Sequence, residues 1–186
     1  SSSISQKIMA ATLLSEAKIL EKIQMPDKSL DKKIIFNLSK SGYELILPAK
    51  IKKQKTISAE ELIALILAKM PVPRFIEAIP VLLLKNKIDK FKLVEISCKY
   101  DINNQLGYLI DITLMTAKKL KIQTDFGELL RYLKNNKGKE IKSLGEEKDM
   151  EYQEFLMKSS PKRIRKWNLL GRFFDDDFIK IAKVYL

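Results

Sequence analysis

Asn103-Asn104-Gln105-Leu106-Gly107-Tyr108-Leu109-Ile110-Asp111-Ile112-Thr113-Leu114-Met115-Thr116-Ala117 is the stretch on which the fold turns. Leu106, Leu109, Ile110, Thr113, Leu114 and Ala117 recur at steps of 3, 1, 3, 1 and 3, which lays a broad apolar stripe along one side of an α-helix opened by Asn103 or Asn104. Such a stripe has to be covered. Leu106, Leu109, Ile110, Leu114 and Ala117 are expected to line a core closed by the helices around residues 62–70 and 91–98.

Upstream of this helix the pattern is also helical. Ser58 and Glu61 have the spacing of a capping box, in which each side chain takes up the other residue's free backbone N–H, and Leu62, Leu65, Ile66 and Met70 then share a face. Pro71-Val72-Pro73 breaks the chain, and Pro73 suits the first position of the next helix. Pro80 falls inside that helix and predicts a kink. Asp89 is placed to cap a helix carrying Phe91, Val94 and Cys98 on one face, ending near Tyr100. Earlier still the period changes. Lys33-Ile34-Ile35-Phe36-Asn37-Leu38, Ser39-Lys40-Ser41-Gly42 and Tyr43-Glu44-Leu45-Ile46-Leu47 read as strand, turn and strand, a β-hairpin over residues 33–47. A charged connector, residues 50–55, follows it. Before it, Ile8, Leu13, Ala17 and Leu20 mark a helix over residues 4–23.

Downstream, Asp125 and Glu128 resemble a capped start ahead of Leu129, Leu130 and Leu133, and Asn135-Asn136-Lys137-Gly138 stops that helix. Residues 137–148 are polar, contain Gly138 and Gly145, and read as a linker. A helix over residues 148–158 precedes Ser159-Ser160-Pro161. A short basic helix follows and ends at Gly171, and Asp175-Asp176-Asp177 opens a last helix bearing Phe178, Ile179, Ala182 and Tyr185. The expected fold is mainly α: a compact helical domain with one β-hairpin near the N-terminus. Its expected divisions are residues 1–52 (helix plus hairpin), 53–136 (helical core) and 137–186 (basic helical segment).

Composition narrows the chemistry. The chain has 186 residues and no histidine, which removes His-dependent triads, His zinc sites and His acid–base pairs. Cys98 is the only cysteine, so neither an internal disulfide nor a two-cysteine metal site can form. No GxxxxGK[ST] or GxGxxG loop is present, and no cofactor is expected. The longest uncharged apolar runs, residues 62–68 and 78–84, fall well short of the roughly 20 residues a membrane span needs. The start Ser1-Ser2-Ser3-Ile4 lacks the basic-then-apolar pattern of a secretory leader. A cytoplasmic location and no membrane contact are therefore expected.

The net charge of +12 favours acidic partners such as nucleic acid. Most of that charge is lysine, whereas proteins that read phosphates favour the planar fork of arginine. The arginines are Arg74, Arg131, Arg163, Arg165 and Arg172, and three of them lie in the stretch from Lys158 to Arg172 together with the only tryptophan. That stretch contains six basic residues and no acid. Lys162, Arg163, Arg165, Lys166, Trp167 and Arg172 are therefore the candidate nucleic-acid contacts, with cations for phosphates and the indole for stacking on a base. The competing reading is a solvated basic face with Trp167 buried against Leu169 and Leu170. Asp175-Asp176-Asp177 has the chemistry of a Mg²⁺ site, yet carboxylates at a helix start more simply offset the helix dipole. Cys98 reads as a small hydrophobe on the apolar face of its helix. Phe36 and Tyr43 on the hairpin have the rings to stack on a base, although half-buried strands carry such residues for packing alone.

Arg74-Phe75-Ile76-Glu77-Ala78-Ile79-Pro80, then Ile88-Asp89 with Leu93, then Gln105-Leu106-Gly107-Tyr108-Leu109-Ile110 resemble the C-terminal helical region of AbiEi-type antitoxins over about a third of the chain. The resemblance implies a transcriptional self-repressor partnered with a nucleotidyltransferase toxin. The family carries a basic residue where Gln105 stands, and an N-terminal winged helix-turn-helix where residues 1–52 offer one helix and a hairpin. No site residue of the family transfers.

The expected function is that of a non-enzymatic regulatory or binding protein, antitoxin-like, that docks a protein partner, with nucleic acid as the second partner class and self-association left open. Two alternatives stand beside it: a carboxylate- and metal-dependent enzyme such as a nucleotidyltransferase or nuclease, and a structural subunit of a complex. Against the enzyme, the chain has no Gly-Ser followed by a spaced Asp-x-Asp pair, the arrangement a nucleotidyltransferase of the toxin kind would carry.

Overall fold

The computed structural model describes residues 28–45, 52–146 and 149–186. The helix expected over residues 4–23 lies outside the described residues. In chain order the elements are α1 (Lys28–Lys40), α2 (Ala59–Lys69), α3 (Pro73–Ile76), α4 (Ile79–Lys85), α5 (Lys90–Lys99), α6 (Asn103–Leu120), α7 (Gly127–Asn135), β1 (Lys142–Ser143), α8 (Met150–Ser159), α9 (Lys162–Lys166), β2 (Leu169–Leu170) and α10 (Asp175–Tyr185).

The fold is mainly helical and is organised around α6. Every residue from Asn104 to Ile110 is buried, so α6 is enclosed on all sides over its first turns. Its principal neighbours are α4, α7 and α10, with α5 at one side. The expected cover therefore differs in part: α2 packs mainly on α5 and α1, one layer away from α6. Leu106, Leu109 and Ile110 are fully enclosed, and Leu114 is half-buried. Truncating fully buried Leu109 to Ala should cost about 2–5 kcal/mol, the lost burial plus the cavity that partial relaxation leaves behind. Buried side chains from Ile34 in α1 to Ala182 in α10 belong to one continuous core, which draws on residues from either side of positions 52 and 136. Among the described residues no helix is long and apolar enough to cross a membrane.

Local rules set several element ends. Glu61 N–H donates to Ser58 Oγ at 3.3 Å and Ser58 N–H to Glu61 Oε2 at 3.0 Å, closing the capping box of α2. The bond from the Ser58 backbone holds the Glu61 carboxyl below the usual carboxylate range. Asp89 caps α5 by accepting from the Lys92 N–H.

Other elements depart from the sequence reading. The hairpin expected over residues 33–47 is replaced, as far as Leu45, by α1 and its C-terminal turn, while Ile46 and Leu47 lie outside the described residues. Ile34, Ile35, Asn37 and Leu38 are buried while Phe36 between them is only half-buried, a helical pattern, since a strand would turn Ile34, Phe36 and Leu38 to one face and Ile35 and Asn37 to the other. Ser41-Gly42 is a helix stop. Gly42 takes φ +86°, its N–H donates to Ser39 O at 3.1 Å, and the Tyr43 N–H reaches Leu38 O at 2.9 Å. This is a Schellman ending, in which a left-handed residue lets the chain fold back over the last free carbonyls. Asn37 replaces the ladder that a second strand would have provided. Its Nδ2 donates to Lys55 O at 3.1 Å and its Oδ1 accepts from the Ile57 N–H at 2.9 Å, pinning the extended connector to α1.

Pro80 does not kink a helix. The chain breaks at Glu77-Ala78 and Pro80 sits in the first turn of α4, where its missing N–H has no partner to lose. The buried face of α5 is Leu93 and Ser97, whereas Phe91 is 89% exposed and Cys98 is exposed, which corrects the assigned apolar face. Phe126, not Asp125, precedes α7 and makes no side-chain cap; Asp125 pairs with Lys90 instead. The stretch read as a linker contains β1, which runs parallel to β2 with Lys142 opposite Leu169 and Ser143 opposite Leu170.

Candidate functional site

α9 carries the basic run, and its position follows from two side chains that point inward. Trp167 is 2% exposed and follows the last residue of α9. Its indole lies over Gly107 of α6, where a Cβ would fall 2.1 Å from Cζ3. A glycine inside a helix costs about 1 kcal/mol relative to alanine, and here its bare Cα is what admits the ring. One turn further along α6, Asp111 Oδ2 accepts from Trp167 Nε1 at 3.2 Å. Asp111 Oδ1 accepts from Arg163 Nη1 at 2.9 Å.

Arg163 then continues to α10. Its Nε donates to Asp175 Oδ2 at 3.2 Å, and its Nη2 lies 3.1 Å from the same oxygen. One guanidinium thus joins a carboxylate of the central helix to a carboxylate in the first turn of α10, where negative charge also offsets the helix dipole. Burial works against the Arg163 charge, but the bond to Asp175 and the charges of Asp111 and Asp175 outweigh it and hold its pKa above the ordinary value. Tyr108 is fully buried nearby, and burial pushes its phenol up strongly, with Asp175 adding to the shift.

The six candidate residues therefore divide. Trp167 is committed to the interior, so the indole offers no open face for a base, and Arg163, half-buried, is committed to Asp111 and Asp175. Trp167 is buried, as the competing reading had it, though Gly107 and Asp111 of α6 are what it meets. Lys162, Arg165 and Lys166 are exposed together on α9. Lys162 and Lys166 share a shallow depression of about 470 Å³ with Asp175 and Asp176, so acid adjoins the cations at that end. Lys137 Nζ donates to the Lys166 carbonyl at 2.6 Å and adds a further cation to this edge. Arg172 is exposed but belongs to different surroundings, with its guanidinium 5.4 Å from the Phe155 ring centre and 5.9 Å from that of Phe174. Cation–π contacts of this kind hold an arginine in place without neutralising it.

Of the acidic run, Asp175 pairs with Arg163 and Asp177 approaches Lys180 at 3.8 Å. Among the described residues no group of three or more His, Cys, Asp or Glu side chains is placed to hold a metal ion. Tyr43 is buried and stacked on Tyr185, with ring centres 4.3 Å apart. Burial, then Tyr185, then Glu77 push its phenol up to about 12.

The sequence reading did not single out Asp111, Gly107 or, as a partner of Arg163, Asp175. Two signals were available. A carboxylate in the middle of an apolar helix needs a buried partner, and a glycine in a helix interior marks a close approach.

The fold and the edge define a class: a helical protein that presents cations on a support ion-paired to its central helix. No family model matches the chain, and no curated protein and no solved structure matches it either.

Proposed function

We propose that the chain is a non-enzymatic regulatory or binding protein, antitoxin-like in the helical stretch from Arg74 to Ile110, which docks a protein partner and offers its α9 edge to the phosphates of nucleic acid. The observation that carries this reading is the division of the basic run. Of its specialised side chains, Trp167 is buried and Arg163 is engaged by two carboxylates, and what faces solvent without such a partner among the described residues is Lys162, Arg165 and Lys166. Positive charge on a fixed support, with Arg163 and Trp167 taken out of play, suits phosphate contact without base reading. The resemblance to AbiEi-type antitoxins adds the protein partner.

The test is binding of a short labelled DNA duplex followed by fluorescence anisotropy across a salt series. Binding that weakens steeply with salt, and weakens less steeply when Arg165 and Lys166 become glutamine, supports the nucleic-acid half of the reading. Absence of binding at low salt ends that half.

A further inference from the structure

A groove of about 490 Å³ lies between α1, α2 and α5, away from the α9 residues. Its floor is aliphatic. Ala64 and Ala68 stand one turn apart on α2 with Leu65 beside them, and Ile96 of α5 and Ile57 of the connector close the sides. Leu65, Ala68, Ile96 and Ile57 are each half-buried, so this floor is packed from below and open above. Its wall along the connector is preformed, because the two hydrogen bonds of Asn37 hold Lys55 and Ile57 against α1.

The rim is lysine. Lys92 is taken up by Glu61 at 3.4 Å and by Ser58 Oγ at 3.0 Å. Lys33, Lys55, Lys69 and Lys99 also line the groove, and among the described residues none of them forms an ion pair with a carboxylate. Among the described residues Glu95 is the one further acid on the rim.

We propose that this groove docks an acidic amphipathic helix of a partner protein. The proposal rests on the reading of the chain as a partner-docking protein and names the chemistry of that partner. Aliphatic side chains on one face of such a helix would meet Leu65 and Ile96, and the two alanines let a helix backbone approach closely. Carboxylates flanking that stripe would meet the lysines, the usual division of labour when a helix lies in a groove. Nucleic acid fits less well. Among the described residues the rim has no arginine fork for phosphates, and its one aromatic ring, Tyr100, already has Lys99 Nζ over its face at 5.6 Å. A second copy of the chain fits poorly too, since it brings a net charge of +12 to a cationic rim.

The experiment is selection from a displayed library of peptides of about 20 residues, long enough to span roughly 30 Å as a helix. Leu, Ile, Ala, Glu, Asp, Lys and Arg are encoded equally, and selection runs against the wild type, against Ala68→Arg, which fills the floor, and against Lys69→Glu with Lys99→Glu, which reverses the rim without touching the core. Thermal unfolding confirms that each variant is folded. The expected outcome is enrichment, on the wild type, of peptides with apolar residues at helical spacing flanked by Glu and Asp. Their affinity should fall about tenfold or more on either variant, a loss of about 1.4 kcal/mol or more. Peptides enriched equally on all three proteins sink the groove and leave the partner-docking reading standing. No enrichment on any protein sinks both. Displacement of a selected peptide by duplex DNA, or a concentration-dependent dimer abolished by Ala68→Arg, reassigns the groove and overturns the proposal.

Discussion

The indole of Trp167 occupies the space that any side chain at Gly107 would need: a Cβ there would lie 2.5 Å from both Cε3 and Cη2. Gly107→Ala should therefore invert the usual helix rule. Alanine gains about 1 kcal/mol of intrinsic helix preference, but forcing the ring off its seat costs about 1–3 kcal/mol and pulls Nε1 away from Asp111. A net loss of stability, read by urea unfolding with tryptophan fluorescence, is the expected result. A variant as stable as the wild type would show that the ring can step aside freely.

Asp111→Ala tests the same joint from its polar side. It leaves Trp167 Nε1 without an acceptor and Arg163 with one carboxylate where it had two. Leaving a buried donor unsatisfied costs about 1–3 kcal/mol. The loss should be smaller in an Arg163→Gln background, since the two residues act through one contact. Equal losses in both backgrounds would mean that the ion pair contributes nothing.

Much of this support was hidden in the sequence for one physical reason. The capping box of Ser58 and Glu61 is a local device three residues long, and it appears where spacing placed it. The joint of Arg163 and Trp167 with Asp111 spans 52 and 56 residues, so no window around the basic run contains it. The misread hairpin has a different cause. Ile34-Ile35-Phe36 favours a strand by side-chain type, and Ser41-Gly42 suits a hairpin turn and a Schellman stop equally. What decides for the helix is long-range: Ile34, Ile35, Asn37 and Leu38 all face the core, and Asn37 finds its partners 18 and 20 residues away. The basic edge was legible as composition, but which of its residues face solvent was not.

Asn37→Ala should loosen the connector without unfolding the protein. Asn37 is 1% exposed and supplies both long-range bonds to the connector, so its loss leaves the Lys55 carbonyl and the Ile57 N–H unpaired. Hydrogen exchange at Ile57 should accelerate well beyond the change seen for amides of α6. Unchanged protection at Ile57 would assign the connector's order to packing alone.

Glu77 gives a pH prediction with a definite sign. Burial raises its pKa, and the charge of Asp177 raises it further. A carboxyl whose folded pKa lies above its unfolded value destabilises the fold once it ionises. That cost is complete above the folded pKa and disappears as pH falls below the unfolded value. Glu77→Gln should raise Tm near neutral pH and leave it unchanged below about pH 4, where the carboxyl is protonated in both states. A gain that persists unaltered at low pH would point to packing and not to charge.

For the α9 edge, contact of Lys162, Arg165 and Lys166 with duplex phosphates implies a logarithmic salt slope of about −3, from roughly −0.9 per phosphate. Replacing Arg165 and Lys166 by glutamine should flatten it by about two units with no change in unfolding midpoint, because both side chains are exposed. Arg163→Gln should do the opposite, lowering the midpoint first. A slope unaltered by the double substitution removes α9 from the interface.

The stacking of Tyr43 on Tyr185 has a bearing on how the chain is made. Tyr185 Oη also donates to the Glu44 carbonyl at 2.6 Å, across 141 residues of sequence. α10 packs on both α4 and α6, so the apolar faces of those helices are covered by a segment the ribosome delivers long after them. A nascent chain that has emerged only as far as Ser160 holds α6 without Trp167 on Gly107, without Arg163 for Asp111, and without Phe178 beside Tyr108. Such an intermediate carries open aliphatic surface and an unanswered carboxylate at once. Chaperone dependence during synthesis should therefore be concentrated in the interval between the emergence of α6 and that of α10.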